Sequence, residues 1–225
     1  MYDIFTKNNT KNNMKKLLTY AILPIATIAL VYLIFMSITK PVNFNKEQAA
    51  REKVAIERLK DIRTLQTTYK SAYNHYAPTM DSLIDFYKNG KITIVKQIGS
   101  MDDSVAVAKK LVKRENILIP VKDTLFNDRP DFDVEALRYI PFSDNDTIIM
   151  STVIKVVSGV DVPLFEAKIP YGVRPAPGQP FRGLLKDMDE QLIVNLNAER
   201  VDTGRYPGLM VGSIDNANNN AGNWE

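Results

Sequence analysis

The chain has 225 residues, room for one membrane anchor and one ordinary soluble domain. It lacks cysteine and has one histidine, His75, which excludes thiol nucleophiles, disulfides and Cys-based zinc sites and leaves a Ser-His-Asp triad or a multi-His metal site at most one member. The net charge of +3 sits at the front, where residues 1–40 hold five lysines against Asp3; the remainder is nearly neutral and has no basic excess to hold nucleic acid.

Residues 1–16 are polar and Asn-rich, and read as a short cytoplasmic tail. Met14-Lys15-Lys16 gives the usual opening of a bacterial envelope protein, so Met14 stands beside Met1 as a reading of the start. Leu17 to Ile38 follow as 22 residues without a charge. A helix rising about 1.5 Å per residue crosses a hydrocarbon core in roughly 20 residues, so the run predicts one transmembrane span. Pro24 is tolerable inside it, and Tyr20 and Tyr32 carry the amphipathic rings that favour interface depth. The alternatives are a core helix or a cleaved signal peptide. The second would have a shorter apolar stretch and a small-x-small site, which Phe35 to Lys40 do not offer. Leu17, Pro24, Tyr32 and Ile38 mark the anchor. Lys15 and Lys16, unopposed by acids, and the short tail predict N-in, C-out insertion, although Lys40, Lys46, Arg51, Lys53 and Arg58 follow the span.

Pro41 is expected to break or reset the helix, with Asn45 as a new N-cap and Gln48 completing a capping box. From Lys46 to about Tyr76, Ala55, Leu59, Ile62, Leu65, Tyr69, Ala72 and Tyr76 recur at steps of three and four, an amphipathic helix with charged residues on its other faces. Such a stripe serves either packing within the domain or contact with partner copies. Under the second reading, Leu59, Ile62, Leu65 and Tyr69 are the interaction residues. Thr79 predicts the cap of a short helix running through Lys88 and closed by Asn89-Gly90.

A strand is predicted over Lys91–Ile98, a helix over Asp102–Arg114 and an extended stretch from Ile117 to Phe126. From Thr147 the segments IIMSTVIKVV, VPLFEAKI, QLIVNLNAERV and GLMVGSI read as strands. A loop from Tyr171 to Pro180 is marked by its glycines and prolines. The fold class is α+β: an N-terminal transmembrane helix and a long amphipathic helix, then a mostly antiparallel β-rich domain. The domain division is 1–16 tail, 17–38 span, 39–90 helical stalk and 91–225 soluble α+β domain.

A resemblance rests on the segment AIERLKDIRTLQTTYKSAYNHYAPTMDSLIDF behind a membrane helix. Leu59, Leu65, Tyr69, Tyr73, Tyr76, Pro78, Thr79, Asp81 and Leu83 match the style of type IV pilin-like proteins, above all the major pseudopilin of type II secretion. The closing Ala-Gly-Asn-Trp-Glu resembles the Gly-Asn-Trp end of that family. The resemblance implies a long helix ending in a Tyr-rich turn, a short second helix, an envelope location and assembly between copies. It also implies a calcium site in the C-terminal region, for which Asp215 among Asn216, Asn218, Asn219 and Asn220 is the candidate ligand. A solvated Asn-rich turn is the competing reading. The pilin processing glycine and fifth-position glutamate are missing, since Lys16 is followed by Leu17-Leu18-Thr19-Tyr20-Ala21.

His75 near a helix end is read as a partner of the last carbonyls rather than as a base. Asp102-Asp103 reads as a helix N-terminal feature and Asp144-Asn145-Asp146 as a turn. Gly172, Gly178 and Gly183 form no phosphate loop, and no pattern calls for a cofactor. The expectation is a bacterial inner-membrane protein, single-pass, with its C-terminal domain periplasmic. Its work is structural or interactive, as a pilin-like assembly subunit or with other envelope partners or its own copies. The alternative is a membrane-tethered enzyme or ligand-binding domain with its pocket in the β-rich region after Asp146, although no catalytic constellation emerges.

Overall fold

The computed structural model describes residues 18–98 and 113–225. Leu17 and the tail before it lie outside the described residues, as does the expected helix from Asp102 to residue 112. The chain is α+β and divides into two compact units, Met1–Ala49 and Ala50–Glu225.

The described part of the first unit starts with a π-helical turn, Leu18–Ile22, and then enters α1, Leu23–Tyr73. Pro24 has no N–H for the carbonyl of Tyr20, and the wider π turn stands where an ordinary α turn would meet the proline ring. Thr27 donates its hydroxyl to the carbonyl of Leu23 at 2.8 Å, so its polar group is satisfied within the helix.

Pro41 does not break the helix. It lies inside α1, and Asn45 is an interior residue, not a cap. A proline forfeits one i→i−4 bond and strains one turn, about 3 kcal/mol in a helix interior. That cost is local, and helix propagates cooperatively on both sides of it.

In the second unit α1 is the spine. Ala55, Leu59, Ile62 and Leu65 are fully buried along one stripe, whereas Ala72 is exposed because the helix is about to end. Asn74 takes a left-handed backbone (φ 63°) and donates its N–H to the carbonyl of Lys70, which turns the chain back. Gln66, also fully buried, holds this turn. Its amide oxygen accepts from the N–H of Ala77 at 2.9 Å, and its amide nitrogen donates to the carbonyl of Ala77 at 3.1 Å. Thr79 then caps α2, Met80–Asn89, by accepting from the N–H of Ser82. Leu83, Ile84 and Phe86 form its buried face.

Strand β1, Lys91–Ile98, occupies the predicted span and pairs antiparallel with β2, Lys113–Pro120, in a two-stranded ribbon. Lys113 and Arg114, expected to end a helix, open β2 instead. Beyond Pro120 the expected extended stretch turns into a 3-10 turn at Val121–Asp123, and a second lies at Glu135–Arg138.

The other sheet is antiparallel in the order β3-β4-β5, with β3 at Ile149–Val157, β4 at Val160–Pro170 and β5 at Gly208–Gly212. Ser158 and Gly159, both with positive φ, supply the tight β3–β4 turn. The central strand carries the core: Phe165, Ala167 and Ile169 are fully buried, and Phe165 meets Tyr76 with ring centroids 4.8 Å apart. Gly212 ends β5 with φ +71°, where an added Cβ would stand 2.3 Å from the carbonyl oxygen of Phe165.

One predicted strand is wrong. QLIVNLNAERV forms α3, Glu190–Asp202. Asp189 accepts from the N–H groups of Gln191 and Leu192, two of the donors that a helix start leaves unpaired. Ile193 is buried, with Leu192, Leu196, Asn197 and Arg200 partly covered beside it, which is helical spacing.

Candidate functional site

The first candidate surface is the apolar half of α1. No part of its most apolar stretch is buried, and this helix is the one among the described residues long and apolar enough to cross a membrane. Pro24, Tyr32 and Ile38 are all uncovered, as are Ile25, Ile28, Leu33 and Phe35 around them. A helix that is apolar on every side has to be covered by something, and here protein does not cover it.

The stripe read as an interaction surface has another role. Leu59, Ile62 and Leu65 have no exposed area, and Tyr69 is half-buried against Tyr73 and Phe86, so the first three belong to the unit's own core. The physical reason is the width of the stripe, which suits a core-facing helix. The outward residues of α1 in this unit include Lys53, Val54 and Glu57, and Ser71 to Tyr73 near its end.

Charged side chains on α1 tie down the segments around it. Asp61 takes a bidentate pair from Arg129 at 2.7 and 3.1 Å, and Arg129 also lies over the rings of Phe126 and Phe132 at 4.5 and 4.9 Å. The hydrogen bond from Arg129 to Asp61, chiefly, raises the guanidinium pKa. Arg63 pairs with Glu225 at 2.7 Å and reaches the carbonyl of Asn220 at 3.3 Å. That hydrogen bond is the main reason the Glu225 carboxyl titrates below its usual range. With Tyr76 bonded to Asn220 as well, the C-terminal segment lies against α1.

Several cavities open on the second unit, four of them lined as follows. One of about 520 Å³ is lined by Arg58, Asp61, Asp128, Arg129, Phe132 and Asp133. Burial lowers the Arg58 guanidinium, and that side chain donates to the carbonyl of Tyr139. A second, about 410 Å³, lies beside Asp144, Asp146, Phe181, Arg182, Lys186 and Asp187. Lys186 pairs there with Asp144 and with Asp187, and the bond to Asp144 raises its ammonium. Asp146 accepts the N–H of Gly183 at 3.0 Å. The turn expected at Asp144-Asn145-Asp146 is present, with Asn145 at φ 64°. A third, about 370 Å³, is apolar and runs from His75, Tyr76 and Pro78 to Ile154 and Leu164. The fourth, about 300 Å³, lies between Tyr69 and Tyr73 of α1 and Ser82, Asp85, Phe86 and Asn89 of α2.

His75 is exposed, with Nδ1 3.0 Å from the carbonyl oxygen of Tyr76 and its ring beside Tyr69 and Tyr73. Asp215 sits in an exposed turn, its N–H donated to Ser213 Oγ and its carbonyl accepting from Lys155 Nζ at 2.9 Å. Among the described residues no group of three or more His, Asp or Glu side chains is placed to hold a metal ion.

Sequence reasoning passed over Gln66, Arg129 and a trio at the sheet with one buried member. Glu166, almost fully buried in β4, pairs with Lys168, and Lys168 Nζ lies 5.3 Å from the ring of Tyr206. Burial, and then the charge of Glu166, pushes the Tyr206 phenol up to about 12. Only a charged Glu-x-Lys within an apolar strand could have signalled it. Comparison with family models, curated proteins and solved structures finds no match for this chain.

Proposed function

We propose that this chain is a single-pass membrane protein of a bacterial cell envelope, with a periplasmic soluble unit that does structural or interaction work as a pilin-like assembly subunit. The observation that carries this reading is the uncovered apolar half of α1. The order of elements supports the pilin-like part. A long helix ends in the Tyr-rich turn after Tyr73, Thr79 caps a short second helix, and antiparallel sheet follows. The absence of the processing glycine and of a glutamate from the span sets it apart from that family. Assembly here therefore works through outward residues of the soluble unit and lipid-facing contacts of the span, without a buried carboxylate to direct stacking.

The reading predicts extraction by detergent and not by alkaline carbonate, and a periplasmic readout from a topology fusion after residue 90. Crosslinkers placed at Lys53, Val54 or Glu57 in intact membranes should capture copies or partners. Release by carbonate would end the anchor reading, and uniformly monomeric crosslinking would end the assembly reading.

The second reading, a tethered enzyme or ligand-binding domain with its pocket after Asp146, draws on the cavity beside Asp146 and Arg182. Asp144, Asp146 and Asp187 are each held there by a cation or a backbone N–H. That is the arrangement of a structural ion-pair network, and it disfavours catalysis at this place.

A further inference from the structure

The groove between the end of α1 and α2 has a chemistry that packing alone does not require. Tyr69 and Tyr73 stand one turn apart on α1, with ring centroids 4.6 Å apart. Phe86 forms the floor, buried, with its ring 5.0 Å from Tyr69 and 5.7 Å from Tyr73, edge-on to both. Tyr73 remains 49% exposed. Among the described residues neither phenol oxygen has a hydrogen-bond partner. Ser82, Asp85 and Asn89 follow at i, i+3 and i+7 on α2, one face of the helix and one rim of the cavity. Asp85 and Asn89 are both exposed, and Asn89 Nδ2 donates to Asp85 Oδ1 at 2.7 Å. At the groove's end stands Gly90, where an added Cβ would meet the Phe86 ring at 2.5 Å, so no side chain closes it.

We propose that this groove is a saccharide-binding site, in which Tyr73 stacks against the C–H face of a sugar ring, Tyr69 borders that face, and Asp85 and Asn89 bind the hydroxyls. A pyranose has apolar C–H groups across one face and hydroxyls around its edge, each both donor and acceptor. The groove offers the complement, an aromatic platform beside a polar rim. After the bond between them, Asp85 keeps acceptor capacity on both oxygens, and Asn89 keeps one N–H and its amide oxygen. Such a pair satisfies neighbouring hydroxyls in both senses, and the bond holds it in place beforehand. Few, fixed polar groups on an apolar floor are the usual make-up of a small-molecule site. An organic cation is the competing ligand for aromatics beside a carboxylate. A cation calls for open ring faces on several sides, however, and of these three rings only Tyr73 is exposed, with Tyr69 tilted 47° to it and Phe86 edge-on below. The inference concerns the soluble unit alone and does not depend on the compartment or on assembly.

The test uses the full-length chain in lipid nanodiscs prepared without glycosidic detergent, with chitotetraose, maltotetraose and choline chloride as probes. Saturation-transfer NMR, irradiating aromatic protons, should show transfer to the ring C–H protons of at least one oligosaccharide and none to choline. Tyr73→Ala and Asp85→Asn should each weaken that binding about tenfold or more, the loss of a contact or charged hydrogen bond. Asn89→Ala, at an exposed helix end, supplies an independent loss if Tyr73→Ala disturbs the fold. Val201→Thr, on α3, should bind as the parent does. Transfer to choline alone, transfer to no probe, or oligosaccharide binding unchanged in Tyr73→Ala and Asn89→Ala would each overturn the proposal.

Discussion

Replacing Gln66 by Leu should destabilise the soluble unit far more than a change of one polar side chain suggests. Gln66 is fully buried, and its amide is the partner of both backbone groups of Ala77, itself fully buried. Leucine keeps most of the volume, so the cavity term is small, but it leaves one N–H and one C=O without a partner. Each orphaned buried group costs about 1–3 kcal/mol, so the loss is about 2–6 kcal/mol. That is a large share of the roughly 5–15 kcal/mol that holds a typical domain together. Urea unfolding of the full-length chain in bicelles, followed by the fluorescence of Trp224, the only tryptophan, would read it. Gln66→Glu adds a sign test. The buried carboxylate cannot donate to the Ala77 carbonyl when ionised, and burial raises its pKa above that of the unfolded chain. Its stability is therefore highest below the unfolded glutamate pKa and falls as pH rises through the folded one. A Gln66→Leu loss under about 1 kcal/mol, or a Gln66→Glu variant no better in acid than at neutral pH, would refute the argument that Ala77 depends on this side chain.

Tyr206 should ionise well above the range of an ordinary tyrosine. Its folded pKa, about 12, is raised above the ordinary 10.0, so its contribution is complete below pH 10 and is lost as pH rises towards 12. The difference in tyrosinate absorbance between the parent and Tyr206→Phe would show this late step, and the Phe variant should lose less stability in alkali. Gly212→Ala should cost at least about 1–2 kcal/mol for the left-handed backbone alone, and more for the contact with Phe165, read as a lower urea midpoint. Glu225→Gln should cost a little stability at neutral pH. The Arg63 bond depresses the Glu225 pKa, so the parent's advantage is present above the unfolded carboxylate's pKa and disappears as pH falls through the folded one. Thermal midpoints of both proteins across that range would check it.

Local signals read well wherever the chain's own backbone is the partner. Thr79 caps α2 because its hydroxyl needs only Ser82 three residues on, and Gly90 closes the same helix through the carbonyl of Phe86. Strand β1 is legible because Ile92 and Ile94 alternate with Thr93 up to the turn signal at Asn89-Gly90. The failures arise where a local preference is outweighed. Leu192-Ile193-Val194 favours a strand by composition, but Asp189 supplies the cap and Ile193 the buried face, leaving Val194 and Val201 in the open. Pro41 reads as a breaker because the rule considers one turn, whereas helix on both sides carries it through. Gln66 interrupts the apolar stripe at the spacing of a core residue. Its importance was hidden because its partner is the backbone of Ala77, which no residue type reveals. The groove of Tyr69, Tyr73, Asp85 and Asn89 was half-visible: the tyrosines stood out, but the turn that brings α2 against them is a tertiary fact.

The two stretches of α1 meet their solvents by opposite means, which decides where a partner can act. Across the most apolar stretch of α1 the side chains are uncovered on every side, so no single face of it is marked for protein contact. After Ala50 most apolar residues gather on one stripe, already filled by the unit's own core, with Val54 left outside it. A partner of the soluble unit therefore finds on α1 only the polar outward face around Lys53, Val54 and Glu57 and the half-exposed Tyr73 at its end. Contacts on such a face are individually weak. Under the proposed anchor, assembly through it would gain from confinement in one membrane, which raises the local concentration of every copy. Cutting the chain free of its span should then abolish self-association at concentrations where the anchored protein crosslinks. Association that persists undiminished in the freed unit would place the main contact elsewhere on the soluble domain.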